Sequence, residues 1–359
     1  MAPLALDSVA TLAPLARRLP HPERVPRLSL TTLPTPVAPL ERLARASGIA
    51  TLWIKRDDAT GTIYGGNKPR KLELLLGAAV ARGRRRVLTF GAIGTHHGLA
   101  TTVCAHAAGL DTTLVLVPQP VTPHVQHCLR LLHACGADLH LASGVADAVR
   151  QALGIVARGW LRSDPPEIIP TGGSSVLGAL GYVNGGLELA EQVRGGLLPE
   201  PAAIFVPLGS GGTVAGLLAG LRAGGLASRV VAVLVTDILP PSAGRLLRMA
   251  RACLARLDPA ARRAVVAAGD LAIERGFIGD GYGASTPEAE AAIRLAQQHE
   301  GIALEQTYTA KCLAALLHHG TTPELRGRPL LFWNTFSSVE PGVAPSPPDS
   351  LPPPFRRFF

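Results

Sequence analysis

Strand-like and helix-like segments alternate along this chain, and the alternation restricts its possible folds more than any other feature. Apolar runs rich in Val, Ile and Leu predict strands, and the amphipathic stretches between them predict helices. Strands are expected at residues 51–57, 85–92, 112–119, 137–142, 202–208, 229–235 and 328–335. Because strands separated by helices pair in parallel, the pattern predicts an α/β protein. Its sheets should be open, twisted and mostly parallel, with helices on their faces.

The 359-residue chain is long enough for two domains with buried cores. We expect a larger domain from residues 1–66 and 171–345, and a smaller α/β domain from residues 67–170. The first thirty residues are expected to form a loose arm. Residues 346–359 are a Pro-rich tail that is expected to be irregular.

The charge of the chain raises the question of a nucleic-acid partner, because the formal net charge is +9. The Arg residues are scattered, however, apart from residues 83–87 and the two ends, and aromatic residues make up only 4% of the chain. A solvated basic surface is therefore favoured, with no nucleic-acid partner. No apolar run reaches the ~18 residues of a membrane span, so no membrane association is expected.

The cysteines favour a reducing compartment. There are five of them: Cys104, Cys128, Cys135, Cys253 and Cys312. Their odd number and the absence of a C-x-x-C pair are typical of reduced thiols. The N-terminus also lacks the basic start and apolar run of a signal peptide. These features predict a cytoplasmic protein.

A glycine-rich turn follows the predicted strand at 202–208 and precedes a helix. It contains Gly209, Ser210, Gly211, Gly212 and Thr213. Such a turn exposes backbone N–H groups at the positive end of a helix, which favours a bound phosphate over a simple packing turn. A dinucleotide fingerprint is a poor match, because Val214 occupies its third glycine position; Asp237 is a weak candidate for the acidic residue of that fingerprint.

The stretch YGGNKPRKLELLLGAA (residues 64–79) places Lys68 at the start of a predicted helix, with Pro69 in the first turn. A helix N-terminus disfavours a cation, so the pKa of Lys68 should fall toward that of a nucleophilic amine. Lys71, one turn later, is expected to face solvent or a nearby acid.

These two motifs together resemble the pyridoxal-phosphate enzymes of the tryptophan-synthase β-like fold. More narrowly, the chain is similar to the 1-aminocyclopropane-1-carboxylate deaminase and D-cysteine desulfhydrase family. The resemblance covers roughly residues 30–335. It rests on the stretches LPTPVAPLERL, WIKRDDATGTIYGGNKPRKLE, GGSSVLGALGYV, PLGSGGT, DGYG and EQTYTAKCLAAL.

The resemblance implies roles for several residues around a pyridoxal 5'-phosphate cofactor. Lys68 would form a Schiff base with its aldehyde, beside Asn67 of the same motif, and residues 209–213 would hold its phosphate. Tyr282 and Tyr308 match active-site tyrosines of the family. Thr309 matches the residue that faces the pyridine nitrogen, where a deaminase of the cyclopropane substrate is expected to carry Glu.

The chain departs from the family in the loop FGAIGTHHGLA, where the family has Ser-Asn-Gln or Ser-Asn-His. Thr95 retains a hydroxyl that could bind the substrate carboxylate. His96 replaces the Asn that hydrogen-bonds the phenolic oxygen of the cofactor. It is expected either to serve as that donor, which we favour, or to act as an added acid or base.

A second departure follows the last predicted strand, where the family has Thr-Gly-Gly. Thr335 is retained as a cofactor contact, but Phe336 and Ser337 replace both glycines and restrict how closely a ligand can approach. Ser175 also replaces a frequent Asn.

A metal site is not expected from the histidines. Adjacent His96 and His97 point apart. His124, His127 and His133 have helical spacing that could bind a metal, but polar residues on a solvated helix face are favoured.

The resemblance predicts a lyase or deaminase that acts on a small amino acid. The freed Lys68 would remove a proton and a β-substituent would leave, giving a keto acid and ammonia, with D-cysteine or a similar substrate preferred. The alternatives are a cofactor-binding protein with altered or lost catalysis, and a 1-aminocyclopropane-1-carboxylate deaminase, which Thr309 disfavours. A homodimer is expected from the family.

Overall fold

A computed structural model describes residues 4–238 and 240–359 of the chain. The strands are β1 Leu6–Ser8, β2 Pro26–Leu28, β3 Val37–Pro39, β4 Thr51–Arg56, β5 Arg86–Ala92, β6 Asp111–Val117, β7 Asp138–Leu141, β8 Glu167–Ile168, β9 Ala203–Leu208, β10 Arg229–Leu234, β11 Leu271–Glu274 and β12 Pro329–Asn334. The helices are α1 Glu41–Ala46, α2 Lys68–Ala81, α3 His96–Ala107, α4 Pro123–Ala134, α5 Val145–Leu161, α6 Val176–Arg194, α7 Gly212–Ala223, α8 Ala243–Leu254, α9 Pro287–Glu300 and α10 Thr309–His319.

The larger sheet has six strands in the order β11-β10-β9-β12-β4-β3. All neighbours in it are parallel except the edge pair of β3 and β4. Every residue of β9 is buried, as expected for a central strand with helices on both faces. The α/β class with mostly parallel sheets, predicted from the alternation, is confirmed.

The smaller sheet has four parallel strands in the order β7-β6-β5-β8. Its strands and helices α2 to α5 come from one continuous stretch, residues 68–168. Those of the larger sheet come from before and after it. The division into a larger domain (1–66 and 171–345) and a smaller one (67–170) stays a prediction.

Apolar side chains fill both faces of the larger sheet. The side chains of α6, α7 and α8 cover one face, and those of α1, α9 and α10 cover the other. Around the smaller sheet, α2, α3 and α4 pack on one side and α5 on the other. Among the described residues, no helix combines the length and apolar character needed to cross a membrane.

The N-terminal segment is not the loose arm that was expected. β1 pairs with β2, and Val9, Leu12 and Leu15 are buried against the core under α6. The backbone N–H of Leu15 donates to Asn184 Oδ1 at 3.0 Å. The apolar side chains of this segment are spaced irregularly and show no helical or strand period. They are nevertheless buried in the core.

The Pro-rich tail also packs more closely than expected. It forms two short 3₁₀ turns, Pro348–Ser350 and Pro353–Phe358. Leu351 and Phe355 are fully buried in the core of the smaller sheet. The tail is therefore part of the folded structure, although regular helix is absent from its residues 346–359.

A buried ionic network holds α2 against both β4 and α6. Arg70 binds Asp57 through two hydrogen bonds of 2.8 and 3.0 Å and also donates to Glu188 at 3.0 Å. Lys55 Nζ donates to Glu188 at 2.5 Å, and the Tyr182 hydroxyl donates to Asp57 at 2.7 Å. Burial alone would raise the pKa of Asp57, but Arg70, Lys55 and Trp333 together outweigh burial and lower it. Arg70 and Lys55 likewise lower the pKa of Glu188 against the effect of burial. Both carboxylates therefore remain charged and paired.

Glycines on α6 allow α2 to approach closely. A Cβ at Gly181 would lie 1.9 Å from the backbone oxygen of Arg70.

Lys71, on α2, does not face solvent or an acid as expected: it is buried, and its Nζ donates to the backbone oxygen of Gly172. The first turn of α2 is thus fixed between the two sheets, where the strands β5, β9 and β12 end.

Candidate active site

The lysine motif and the glycine turn meet in space. Lys68 is the first residue of α2, and its Nζ donates to Asn67 Oδ1 at 2.6 Å. Asn67 Nδ2 in turn donates to Thr213 Oγ1 at 3.0 Å, across 146 positions of sequence. Asn67 therefore links the amine to the turn that was predicted to bind phosphate.

Lys68 has an unusual acidity for a lysine. Burial lowers its pKa to about 8, although Glu305 partly opposes the shift. Its position at the N-terminus of α2 acts in the same direction. A substantial fraction of the amine is therefore uncharged and nucleophilic near neutral pH, as predicted from the sequence.

The glycine turn has the shape of an anion cradle. Gly211 has a φ of +96°, which a residue with a Cβ would adopt only with strain. Ser174 supports the turn from α6's N-terminal side: its Oγ lies 2.8 Å from Ser210 Oγ and accepts the backbone N–H of Gly212 at 2.9 Å. Ser174 was not predicted as a site residue, although its GGSS context could have indicated a loop of this kind.

Two tyrosines close the opposite side of the site. The hydroxyls of Tyr282 and Tyr308 are 2.7 Å apart. The Tyr308 ring lies 3.4 Å from the point that a Cβ at Gly209 would occupy, and its centroid is 5.8 Å from Lys68 Nζ. Burial raises the pKa of Tyr282 to about 12, so the hydroxyl keeps its proton at neutral pH. The structure thus brings both predicted tyrosines to the lysine and the glycine turn.

The loop that carries Tyr282 is held by two charged side chains. Asp237 Oδ1 accepts the backbone N–H of Tyr282 at 3.0 Å, and Lys311 Nζ donates to the backbone oxygen of Ile278 at 2.6 Å. Asp237 was a weak candidate for a dinucleotide site. Its contact with Tyr282 gives it a structural explanation instead.

Thr309 is fully buried at the start of α10, and its partner is Glu305. The Thr309 hydroxyl donates to Glu305 Oε1 at 3.1 Å and accepts the backbone N–H of Glu305 at 3.1 Å. The same carboxylate accepts the backbone N–H groups of Thr307, Tyr308 and Thr309. Glu305 was not predicted as a site residue; an acidic residue shortly before the helix that begins at Thr309 was the available signal.

The departures in the loop before α3 have clear structural consequences. Thr95 caps α3, because its Oγ1 accepts the backbone N–H of Gly98 at 3.1 Å. His96 Nε2 lies 2.9 Å from His124 Nε2, and its Nδ1 lies 3.5 Å from the Tyr64 hydroxyl. Burial lowers the pKa of His96 to about 3, so the ring is neutral. The neighbouring His97 is buried and turns to Thr89 instead, at 3.0 Å.

The turn after β12 contacts both the lysine motif and the loop before α3. The backbone oxygen of Thr335 accepts the N–H of Asn67 at 3.2 Å, and Ser337 Oγ accepts the N–H of Gly65 at 2.8 Å. Phe336 packs edge-on against His96, with ring centroids 5.6 Å apart. The two departures from the family, at His96 and at Phe336, are therefore in direct contact with each other.

The remaining histidines of α4 do not join His124. His127 is exposed, and His133 Nδ1 lies 2.9 Å from Ser346 Oγ in the tail. His124, His127 and His133 therefore do not form the metal-binding group that their helical spacing would allow.

The residues at this site fit pyridoxal phosphate. They include an amine of lowered pKa, and beside it a glycine turn at a helix N-terminus. A Cβ at Gly209 would contact Tyr308, and a Cβ at Gly212 would contact Ser174, so either would narrow that turn. A backbone cradle suits the phosphate, and the amine suits the aldehyde.

Comparison with known proteins agrees with this chemistry. The family model for pyridoxal-phosphate dependent enzymes matches residues 28–335. The chain is 32% identical over 318 residues to the D-cysteine desulfhydrase of Klebsiella pneumoniae (strain 342), covering 87% of this chain and 94% of that protein. It is 34% identical over 333 residues to the nocardicin C-9' epimerase of Nocardia uniformis subsp. tsuyamanensis, covering 91% and 98%. The crystal structure of a 1-aminocyclopropane-1-carboxylate (ACC) deaminase homologue superposes with a TM-score of 0.76 at 30% identity, covering 87% and 92%.

Proposed function

Because the chain belongs to the pyridoxal-phosphate dependent enzyme family, we propose that it catalyses β-elimination from a small amino acid. D-cysteine, or an amino acid with a similar leaving group at the β-carbon, is the proposed substrate. Water and D-cysteine would give a keto acid, ammonia and hydrogen sulfide. The D-cysteine desulfhydrase that shares 32% of its residues supports this choice.

The cofactor would be held along the contacts already described. Lys68 would bind its aldehyde, and the backbone N–H groups of residues 209–213 would bind its phosphate, with Asn67 joining the two. Thr309 would face its ring nitrogen, and His96 its phenolic oxygen, with Thr335 beside the ring. The bound cofactor supplies an electron sink that makes the α-proton of the substrate acidic.

Lys68 and the two tyrosines would handle the protons of the reaction. Once substrate has taken its place, Lys68 Nζ accepts the α-proton, which its lowered pKa favours near neutral pH. The hydroxyl pair of Tyr282 and Tyr308 can pass one proton to the leaving group, and the pair regains a proton from water or from the protonated Lys68 before the next turnover. Thr95 would orient the substrate carboxylate.

The observation that carries this proposal is the buried Thr309. Its hydroxyl hydrogen-bonds to Glu305 and carries no negative charge, so it cannot hold a proton on the ring nitrogen as a carboxylate would. A Thr at this position holds the ring nitrogen more weakly than the Glu expected in a deaminase that opens the cyclopropane ring. Elimination of a good leaving group needs a less powerful electron sink than opening of the cyclopropane ring does. Thr at this position therefore favours the desulfhydrase reaction.

Epimerisation at the α-carbon is the second candidate, because the nocardicin C-9' epimerase is also 34% identical over most of both chains. It would use the same α-proton removal but would return a proton without loss of a substituent. His96, which replaces the family's Asn, is the added acid or base that would suit this reaction.

One experiment separates these possibilities. The absorption spectrum of the protein with pyridoxal phosphate is recorded beside that of Lys68→Ala, and a cofactor band that the variant lacks is expected. The parent is then given D-cysteine, L-cysteine and 1-aminocyclopropane-1-carboxylate in deuterated water. Keto acid from D-cysteine supports elimination, and keto acid from the cyclopropane substrate alone contradicts it. Formation of the opposite enantiomer of cysteine, with α-deuteration and no keto acid, indicates epimerisation. A band with neither outcome indicates a cofactor-binding protein with lost catalysis.

A homodimer in the cytoplasm, with no nucleic-acid partner, completes the proposal. All five cysteines are free in the structure, which supports a reducing compartment. The mass in solution, measured by light scattering at several protein concentrations, tests the dimer.

A further inference from the structure

Three metal-binding groups converge beside the candidate active site. His96 begins α3, whereas His124 and Cys128 lie on α4. One nitrogen or sulfur atom from each lies within 4.8 Å of the other two. The His96 and His124 Nε2 atoms are 2.9 Å apart, and Cys128 Sγ lies 3.6 Å from His124 Nε2.

The donor atoms point toward one another. The ring centroids of His96 and His124 are 5.0 Å apart while their Nε2 atoms are 2.9 Å apart, so the rings meet through their nitrogen edges. His124 and Cys128, four residues apart, share one face of α4. A tetrahedral Zn²⁺ ion needs about 3.3 Å between two nitrogens and about 3.6 Å between nitrogen and sulfur. The His96–His124 and His124–Cys128 separations lie within a few tenths of an ångström of these values, and the third, between His96 and Cys128, is at most 4.8 Å. Small rotations of these side chains would therefore admit the ion.

We propose that His96, His124 and Cys128 form a site for a Zn²⁺-like transition-metal ion at the edge of the cofactor pocket. Two imidazoles and a thiol suit a borderline or soft ion, and the absence of carboxylates from this trio disfavours Mg²⁺ and Ca²⁺. Cys128 is buried and Phe336 packs against His96, so these two residues shelter the ion on one side, while exposed His124 leaves the other side open to solvent. Binding displaces the thiol proton of Cys128 to solvent, and the fourth position is left for water.

The ion would also fix the tautomer of His96. With Nε2 bound to the metal, the ring carries its proton on Nδ1, the nitrogen that lies on the Tyr64 side. This consequence rests on the proposed function, in which His96 donates to the phenolic oxygen of the cofactor. The binding of the ion does not depend on that function.

The test uses the holoenzyme after dialysis against a chelator, titrated with Co²⁺. We expect one Co²⁺ per chain with the intense visible bands of a tetrahedral site, at longer wavelength than the cofactor band, and loss of these bands on addition of Zn²⁺. His124→Ala and Cys128→Ser should weaken binding by more than the roughly 10–100-fold that loss of an outer-shell partner costs. The matched controls His127→Ala and Cys135→Ser, on or next to the same helix, should bind as the parent does.

Absence of these bands, or their survival in both His124→Ala and Cys128→Ser, would mean that the three groups are only hydrogen-bonded. His124 is exposed, so its Ala variant should fold even if the Cys128 variant does not. The cofactor band in the same samples reports on the proposed function separately. Zn²⁺ should shift that band in the parent but not in His124→Ala; an unshifted band in parent protein that holds the ion would overturn the effect on His96.

Discussion

The chemistry of a single amine governs how the cofactor enters. Because burial lowers the pKa of Lys68 to about 8, the uncharged amine becomes abundant well below the range of an ordinary lysine. In the cofactor-free protein, the rate of reaction with pyridoxal phosphate should therefore rise roughly tenfold per pH unit up to about pH 8 and then level off. Stopped-flow absorbance between pH 6 and 10 measures this profile.

A lysine with an ordinary pKa would give a different dependence of the rate on pH. If burial does not affect Lys68, the rate will keep rising to about pH 10 without a plateau. Lys68→Ala should show no such phase at any pH, which excludes a contribution from the nearby, buried Lys71.

Glu305 is a second residue whose effect can be isolated. Its carboxylate accepts three backbone N–H groups and the Thr309 hydroxyl at the start of α10. Glu305→Gln replaces one accepting oxygen by an NH₂ group and removes the charge that favours a helix N-terminus. We expect the free energy of unfolding, measured in urea, to fall by roughly 1–3 kcal/mol.

Glu290→Gln is the matched control, because Glu290 is exposed in the first turn of α9 and bonds only the Ser285 hydroxyl at 3.1 Å. Its effect should stay within about 0.5 kcal/mol. Equal effects for the two variants would show that Glu305 does not act as a buried cap.

Among the elements, α2 has the most demanding position, and the ionic network beneath it sets that position. Asp57 is fully buried and accepts hydrogen bonds from Arg70, Tyr182 and Trp333. Asp57→Asn would leave Arg70 with part of its charge unpaired in the interior. We expect the free energy of unfolding to fall by about 3–5 kcal/mol, measured by urea titration, and cofactor affinity to fall with it.

An exposed ion pair provides the comparison. Asp111 pairs with Arg86 at 3.3 Å on the surface of the smaller sheet. Asp111→Asn should change stability by less than about 1 kcal/mol. If Asp57→Asn costs no more than this surface substitution, the network does not hold α2 in place.

The elements also show which parts of the fold the sequence could reveal. Long strands such as β5 and β9 are nearly continuous apolar runs, so the sequence indicates them even without alternation of apolar and polar residues. The helices between them are amphipathic. The edge strands β3, β8 and β11 span only three, two and four residues, too few for any pattern to appear. Charged residues such as Arg70 and Lys55 are of types that are mostly exposed; their burial here depends on partners that are far away in sequence.

The candidate site divides in the same way. Lys68, the glycine turn and the two tyrosines lie in contiguous motifs, and the structure places them together. Ser174 and Glu305 act through hydrogen bonds to other site residues, and their local sequences gave only weak signals of this role. The pairing of His96 with His124 joins the start of α3 to α4, so the spacing of histidines along α4 alone could not reveal it.

At the scale of the whole molecule, described residues near both ends of the chain, from 9 to 15 and from 351 to 355, help complete the core. The tail reaches α4, the helix that carries His124: Gln126 Nε2 donates to the backbone oxygen of Phe358 at 2.6 Å, and Arg130 Nε to that of Ser346 at 2.6 Å. Phe355 is the anchor of this contact, since its ring is fully buried with the apolar side chains of the smaller sheet. The C-terminal segment therefore supports one wall of the candidate site from behind.

Phe355→Ala tests this dependence. Loss of a buried aromatic ring should lower the free energy of unfolding by about 3–5 kcal/mol, and the nearby α4 should lose protection against amide hydrogen exchange. Phe359→Ala, at a position that is 44% exposed, should change neither quantity appreciably. Hydrogen exchange followed by mass spectrometry distinguishes the two predictions. Faster exchange throughout the chain would indicate only a general loss of stability, whereas faster exchange concentrated in α4 would show that the tail holds this helix, and with it His124, in position.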